Sequence, residues 1–465
     1  MQPTSTRSSF ISSAYKPNGI HGIAPAVINA QFAHALGTAV GRHVGLAGVP
    51  AIVVGRDARL SSVELAAALQ AGIRATGMKV IDVGMAPTPL VYFAAHLAQT
   101  SAAIVITGGH HPSNYNGFKV MLDNNELHGP ALMALYDGMT VSHEQARTPG
   151  TRSQAPMPAC YSARMQCDIR LARGLKVAID CGNGVAGAVA PSLFRELGCE
   201  VTELFCEVDS SFPNHPPDPT DLRNLQDLVY CLRYSDCELG LAFDADAERL
   251  AVVTKSGNVI GVHQQLILFA RDLLARQPGT PVVYDVQCSR HVPQAIQDAG
   301  GTPIMWKTGR ALIKAKMDEA GAMLAGETSG HLFFKDRWYG FSDGLYAGAR
   351  LLEILSRVDD PSALLEALPH SCSTPELKAQ TGSSDPARLI DTLRNIGRFT
   401  GADEEIVVDG LRVEYPDGFG MARASNSNSA LVFRFEADSL QALTRIQTVF
   451  RKQLRRVAPR LQLPF

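Results

Sequence analysis

The chain lacks any uninterrupted apolar run near the ~20 residues that a membrane helix requires. Its opening stretch, MQPTSTRSSF, is polar with no apolar segment behind it, so neither a spanning helix nor a secretory leader is expected. It also lacks a charge bias. Lys+Arg 43 against Asp+Glu 45 leaves a formal net charge of −2, which recruits neither nucleic acid nor an anionic membrane and leaves room only for a local basic pocket for a small anion. There is no CxxC pair among the nine cysteines (160, 167, 181, 199, 206, 231, 237, 288 and 372), which argues against a zinc ribbon and a disulfide framework. Reduced core thiols in a cytoplasmic protein are the expectation.

What is present is ordinary soluble-protein composition, 46% hydrophobic and 19% charged over 465 residues, long enough for three or four domains at ~100–200 residues each. Three segments are built alike. Each opens on a β-rich run: PAIVVGRD (50–57), LKVAIDCGNG (175–184) or TPVVYDVQCS (280–289). A helix-like stretch follows, such as SSVELAAALQAGIRATG or AVAPSLFRELG, and then a second strand: GMKVIDVG, GCEVTEL, GGTPIMWKTG. A third strand ends in a polar loop: AAIVITGGHHP, LGLAFDADAER, GAMLAGETSGH. Strands separated by helix-length patterns imply βαβ units and largely parallel sheets. Three copies imply three α/β domains, with ligands expected outside the carboxyl ends of the strands, where the three polar loops fall.

From about Pro375 the pattern changes. EEIVVDGLRVEYPDGFGMARASNSNSALVFRFEA alternates apolar and polar residues over two or three short strands, and SLQALTRIQTVFRKQLRRV is helix-like, which reads as a small α+β fourth domain. Its loop RASNSNS (423–429) sets one guanidinium among hydroxyls, amides and turn N–H groups, a mix suited to phosphate.

The polar loops suggest chemistry of their own. DADAER puts Asp244, Asp246 and Glu248 at alternate positions beside Arg249. Three carboxylates on a tight loop suit a hard cation such as Mg²⁺, though the same letters also spell a solvated acidic turn. GETSGH supplies Glu327, Ser329 and His331, an acceptor, a hydroxyl and an imidazole that can bind vicinal sugar hydroxyls or simply satisfy one another. In ITGGHHPSNYNGFK, His110 and His111 are candidates for acid–base work or phosphate contact, and Lys119 for an anion; the bland alternative is a glycine turn with two surface histidines.

Together these loops resemble the α-D-phosphohexomutase superfamily, most nearly its bacterial phosphomannomutase/phosphoglucomutase group. The likeness runs through VGRDARLSS, TGGHHPSNYNGFK, DCGNGVAG, FPNHPPDP, AFDADAERLAVV, MWKTG, LAGETSGH, RWYGFSDG and LRVEYPDGFGMARASN, and so covers essentially the whole chain. It implies three similar α/β domains with mixed, mostly parallel sheets (1–155, 156–258, 259–370) and a fourth small α+β domain (371–465) around a central cleft. It further implies an isomerase, an intramolecular phosphotransferase that interconverts the 1- and 6-phosphates of mannose or glucose. A phosphoserine would donate the phosphoryl group, Mg²⁺ would be held by that phosphoserine and three aspartates, and a hexose 1,6-bisphosphate would act as activator. By position, Asp244, Asp246 and Glu248 match the metal loop. Glu327, Ser329 and His331 match the sugar loop, and Arg423, Ser425, Asn426 and Ser427 the phosphate loop. The implied partner is a hexose phosphate, for a chain read as a monomer.

The chain departs from the family pattern around this site. The first loop of the family reads T-[AG]-S-H-N-P, whereas here it reads Thr107-Gly108-Gly109-His110-His111-Pro112, so Gly109 stands at the phosphoserine position. Glu248 replaces the third aspartate, and its extra methylene displaces a carboxylate by roughly 1.5 Å, a large shift for Mg²⁺. His21 stands where an arginine is expected, Gln287 for a lysine, and Arg310 for a histidine that acts as general acid or base. The ligand loops, Lys119 and Arg249 remain. Two readings follow. In one, phosphotransfer continues by another carrier (His110, His111 or Ser113) or directly from a sugar bisphosphate. In the other, the chain binds hexose phosphate as a non-catalytic sensor or partner.

Overall fold

The computed structural model describes residues 14–16, 19–140, 146–425 and 429–465. Contacts divide the chain into two compact units, one of residues up to Gln265 with Ser329–Ala367, the other of Leu266–Thr328 with Leu368–Phe465.

The first unit holds two sheets. In one, strand Ala51–Arg56 lies between Lys79–Met85 and Ala103–Ile106, parallel to both; Tyr115–Leu122 returns antiparallel to Ala103–Ile106, and Gly19–Ile23 extends that edge. In the other, Lys176–Asp180 lies between Glu200–Leu204 and Leu239–Phe243, again parallel to both, with Leu250–Thr254 returning antiparallel. The second unit repeats the order: Pro281–Asp285 lies between Thr302–Trp306 and Leu324–Gly326, all parallel. The threefold repeat expected from sequence is thus a shared strand order, second–first–third. The central strands are continuous apolar runs because helices cover both faces of such sheets. Ile52, Val53 and Val54 are fully buried, as are Val177, Ala178 and Ile179. SSVELAAALQAGIRATG forms a helix over Leu60–Ala75, while AVAPSLFRELG forms a helix at Ala190–Glu196, after a 3-10 turn at Val185–Ala188.

The second unit also carries an antiparallel sheet, Leu411–Tyr415, Gly418–Ala424 and Ala430–Ala437, joined first by the two-residue turn Pro416-Asp417. Three further short strands (Cys372–Ser373, Leu377–Gln380, Glu404–Ile406) extend it beyond the two or three expected. The amphipathic helix Leu440–Val457 turns Ile446, Phe450 and Leu454 onto this sheet, four residues apart on one face. Gly420 is required there, since a Cβ would lie 2.5 Å from the Phe450 ring.

All nine cysteines are free thiols, but they are not all in the core: Cys160 and Cys167 are exposed. Both lie on the helix Pro158–Asp168, whose buried face is made by Tyr161, Ser162 and Met165, and this corrects the expectation of a wholly buried set. No helix among the described residues is long and apolar enough to cross a membrane.

Candidate functional site

The loop after Ala103–Ile106 is held from beneath by Asp57 and Arg59, at the end of the neighbouring central strand. Asp57 accepts hydrogen bonds from the backbone N–H of Arg59 (3.0 Å) and Gly108 (3.0 Å) and from Ser62 Oγ (2.6 Å). Arg59, 1% exposed, pairs with Asp57 through Nε (3.1 Å). Its two terminal nitrogens donate to the carbonyls of Gly109 (2.8 Å), His111 (2.6 Å), Tyr115 (3.0 Å) and Pro112. Gly108 lies so close that a Cβ would meet the guanidinium at 2.4 Å. Gly109 is different. Its φ is +51°, a left-handed conformation that glycine adopts without cost, and a Cβ there would meet nothing within 4 Å. The apex of the loop is open at this residue.

Lys119 sits on the returning strand, paired across the sheet with Val105. Its ammonium lies 2.6 Å from Asp246 Oδ2 and 2.8 Å from Glu248 Oε2. Thr88 Oγ1, at the start of helix Thr88–Leu97, also donates to Asp246 Oδ2 (2.7 Å). Asp244 accepts from the backbone N–H of Arg249 (3.0 Å), and its second oxygen is 3.6 Å from Arg249 Nε. All three carboxylates are buried. Burial, followed by the neighbouring Asp246, pushes the Asp244 carboxyl above its usual range against the opposing pull of Arg249 and Lys119.

Arg249 links two histidines that the sequence placed in separate loops. It donates from Nη2 to His110 Nδ1 (3.0 Å) and from Nε to His331 Nε2 (3.3 Å). His331 therefore carries its proton on Nδ1 and donates it to Ser342 Oγ (2.8 Å), which donates onward to the Glu248 carbonyl (3.0 Å). The Arg249 charge, with burial, holds the His110 imidazolium far below its ordinary pKa; burial, with Arg59, lowers that of His111. Both are neutral imidazoles near pH 7. His111 is stacked on His110 (4.8 Å between ring centres) and Tyr115 (5.2 Å), and lies against His21 (4.8 Å). The unusual His21 thus packs on the loop itself.

Ser329 Oγ is buried and finds no hydrogen-bond partner among the described residues. In the second unit, buried Asp285 accepts from Thr328 (2.7 Å), which follows Glu327, and from Thr308 (3.4 Å), the central residue of KTG. Gln287 is buried at the end of the same strand, between carbonyls 286 and 288 that Arg412 holds at 2.5 and 2.7 Å. Arg310 opens the helix Arg310–Glu319. Arg423 is buried, donates to the Ala424 carbonyl (3.1 Å) and lies 3.6 Å from Glu376, while its Nε has no partner among the described residues. The Ser425 amide bonds to Ala430; Asn426 and Ser427 lie outside the described residues.

The comparisons decide what this assembly belongs to. The family models for phosphoglucomutase/phosphomannomutase alpha/beta/alpha domains I, II and III match residues 13–142, 160–257 and 262–372. The chain belongs to the phosphoglucomutase/phosphomannomutase family. A phosphoglucomutase of Neisseria meningitidis is 48% identical over 443 residues, 94% of this chain and 95% of that one. A phosphomannomutase/phosphoglucomutase of Pseudomonas aeruginosa is 43% identical over 454 residues (97% and 98%). A crystal structure of a phosphoglucomutase/phosphomannomutase family protein from Burkholderia thailandensis superposes with TM-score 0.93 at 49% identity, covering 97% of this chain and 99% of that one.

The family likeness implies a divalent cation at Asp244, Asp246 and Glu248, and the residues here do not fit one. Among the described residues no three His, Cys, Asp or Glu side chains are placed to hold a metal. An ammonium already lies against the second and third carboxylates. Glu248, one methylene longer than aspartate, ends beside Lys119.

Three contributors carry no signal of their own as site residues. Asp57 and Arg59 belong to VGRDARLSS, but their work depends on a loop some 50 residues away. Thr88, 158 residues from Asp246, has no sequence mark at all.

Proposed function

We propose that this member of a hexose-phosphate mutase family binds mannose or glucose phosphates and has lost the covalent phosphoryl transfer of its relatives. The observation that carries this reading is Gly109. A covalent carrier needs a nucleophilic atom, and the open apex of the loop has none. Its neighbours do not substitute readily. His110 Nδ1, the nitrogen bearing the lone pair, is engaged by Arg249, and His111 is enclosed between aromatic rings.

Binding is supported by groups that still present hydrogen-bonding capacity. Ser329 offers a buried hydroxyl to a sugar ring, beside His331 and Glu327 in the same loop. Arg423 offers a guanidinium to a phosphate, with Ser425, Asn426 and Ser427 as its expected companions. Nine free thiols support a reducing, cytoplasmic setting. Glucose 1-phosphate incubated with Mg²⁺ and a trace of glucose 1,6-bisphosphate is expected to yield glucose 6-phosphate no faster than a protein-free control. Calorimetry with glucose 1-phosphate is expected to give saturable heat. Turnover well above the control overturns the loss of transfer, and no heat at millimolar ligand overturns binding.

A further inference from the structure

We infer that Lys119 is the resident cation of the acidic turn, so that the protein keeps the loop Asp244–Arg249 ordered and its charge partly offset without a divalent metal. Three observations carry this. First, the lysine is built in: its side chain is 11% exposed against carboxylates exposed by 1% and 2%, at 2.6 and 2.8 Å. An ammonium so far removed from water persists only against anions.

Second, the Asp246 oxygen it uses is heavily subscribed. Asp246 Oδ2 receives Lys119 Nζ and Thr88 Oγ1, with Thr107 Oγ1 at 3.4 Å; on the neighbouring Asp244, Oδ1 receives the Arg249 amide. Mg²⁺ demands near-octahedral oxygen geometry, and binding it through Asp246 Oδ2 means stripping these donors away. Third, the negative charge is already partly offset. Asp244, Asp246 and Glu248 face Lys119 and Arg249, and Asp218 lies 3.7 Å from the same guanidinium, a formal balance of −2. A dication added to this set would sit within contact range of an ammonium that has nowhere equally anionic to go. Glu248 makes the arrangement possible, since its longer arm brings Oε2 onto Lys119 while remaining 3.8 Å from His331.

The test measures metal directly, without sugar or turnover. Chelator-treated protein is titrated with Mn²⁺ and free ion is read by electron paramagnetic resonance. The wild-type chain is expected to show no saturable binding up to millimolar Mn²⁺, and the same thermal midpoint with chelator or with Mg²⁺. Lys119→Met, which releases two carboxylates, is expected to gain one Mn²⁺ site at least tenfold tighter. One Mn²⁺ per wild-type chain at micromolar affinity overturns the inference, as does a folded Lys119→Met with no gain. If that variant fails to fold, the wild-type titration alone decides. Glucose 1-phosphate binding, expected to be equal in chelator and in Mg²⁺, rests on the function proposed above. Its complete absence in both conditions would sink that reading while leaving the Mn²⁺ result to stand by itself.

Discussion

Two buried arginines lie at the ends of strands in this chain, and their donors are used differently. Arg59, under the loop with Gly109 at its apex, is saturated: Asp57 and four backbone carbonyls take its donors. Arg423, before the loop expected to take phosphate, is comparably buried but bonds to one adjacent carbonyl. Its other contact is a longer pairing with Glu376, a partly exposed carboxylate, and its Nε is unpartnered among the described residues. A saturated guanidinium is structural, because every donor it could lend to a ligand is committed. An under-used buried one costs stability, and such a cost is tolerable where a ligand repays it. The first loop is finished as architecture, whereas the arginine before the second keeps donor capacity in hand among the described residues.

The sharpest way to break the contrast is Arg59→Ala. It strands a buried carboxylate and four carbonyls, and the loss should reach about 3–5 kcal/mol of unfolding free energy by urea denaturation. A loss below 1 kcal/mol would mean that the loop supports itself. Arg423→Ala should reverse the pattern: near-unchanged stability but about 1.5–3 kcal/mol weaker glucose 1-phosphate binding by calorimetry, the scale of a charged hydrogen bond. If stability fell and affinity held, Arg423 would be structural like Arg59.

Acidification separates the regions next. His110 and His111 have folded-state pKa values lowered from about 6.5, so each binds its proton more readily when the fold opens, and His110, with the larger shift, stays neutral in the fold. Their contribution to stability is complete above pH 6.5 and is lost as pH falls below it. His110 alone approaches a slope of about 1.4 kcal/mol per pH unit below that point. Urea titrations between pH 7 and 5 should show this slope, and His110→Gln should reduce it. An unchanged slope would show that His110 is already protonated in the fold. The smallest effect is expected from Gly109→Ser. It meets no neighbour within 4 Å but must adopt φ near +51°, costing about 1–2 kcal/mol. With Lys119 still bound by the two carboxylates, this change alone is expected not to restore mutase turnover. Restored turnover would make Glu248, His21, Gln287 and Arg310 neutral differences.

Much of the fold is legible in the chain because it is written locally. Continuous runs such as AIVV and VVYD specify strands buried on both faces, and the polar letters that end a parallel strand mark where ligands bind. The site residues were legible as types. What they touch was not. That His110 and His331 share Arg249, or that Lys119 lies between Asp246 and Glu248, depends on side chains brought together from more than 80 positions apart. The exposed Cys160 and Cys167 escaped for a related reason, since a helix with few apolar residues does not announce which face it buries.

Because Arg59 grips backbone carbonyls rather than any side chain of the loop, shape and reactivity at residue 109 are inherited separately. Glycine leaves the grip intact, and the open space above it can admit another residue without rebuilding the turn. A lineage can therefore lose, regain or replace the group at this position while every intermediate remains folded.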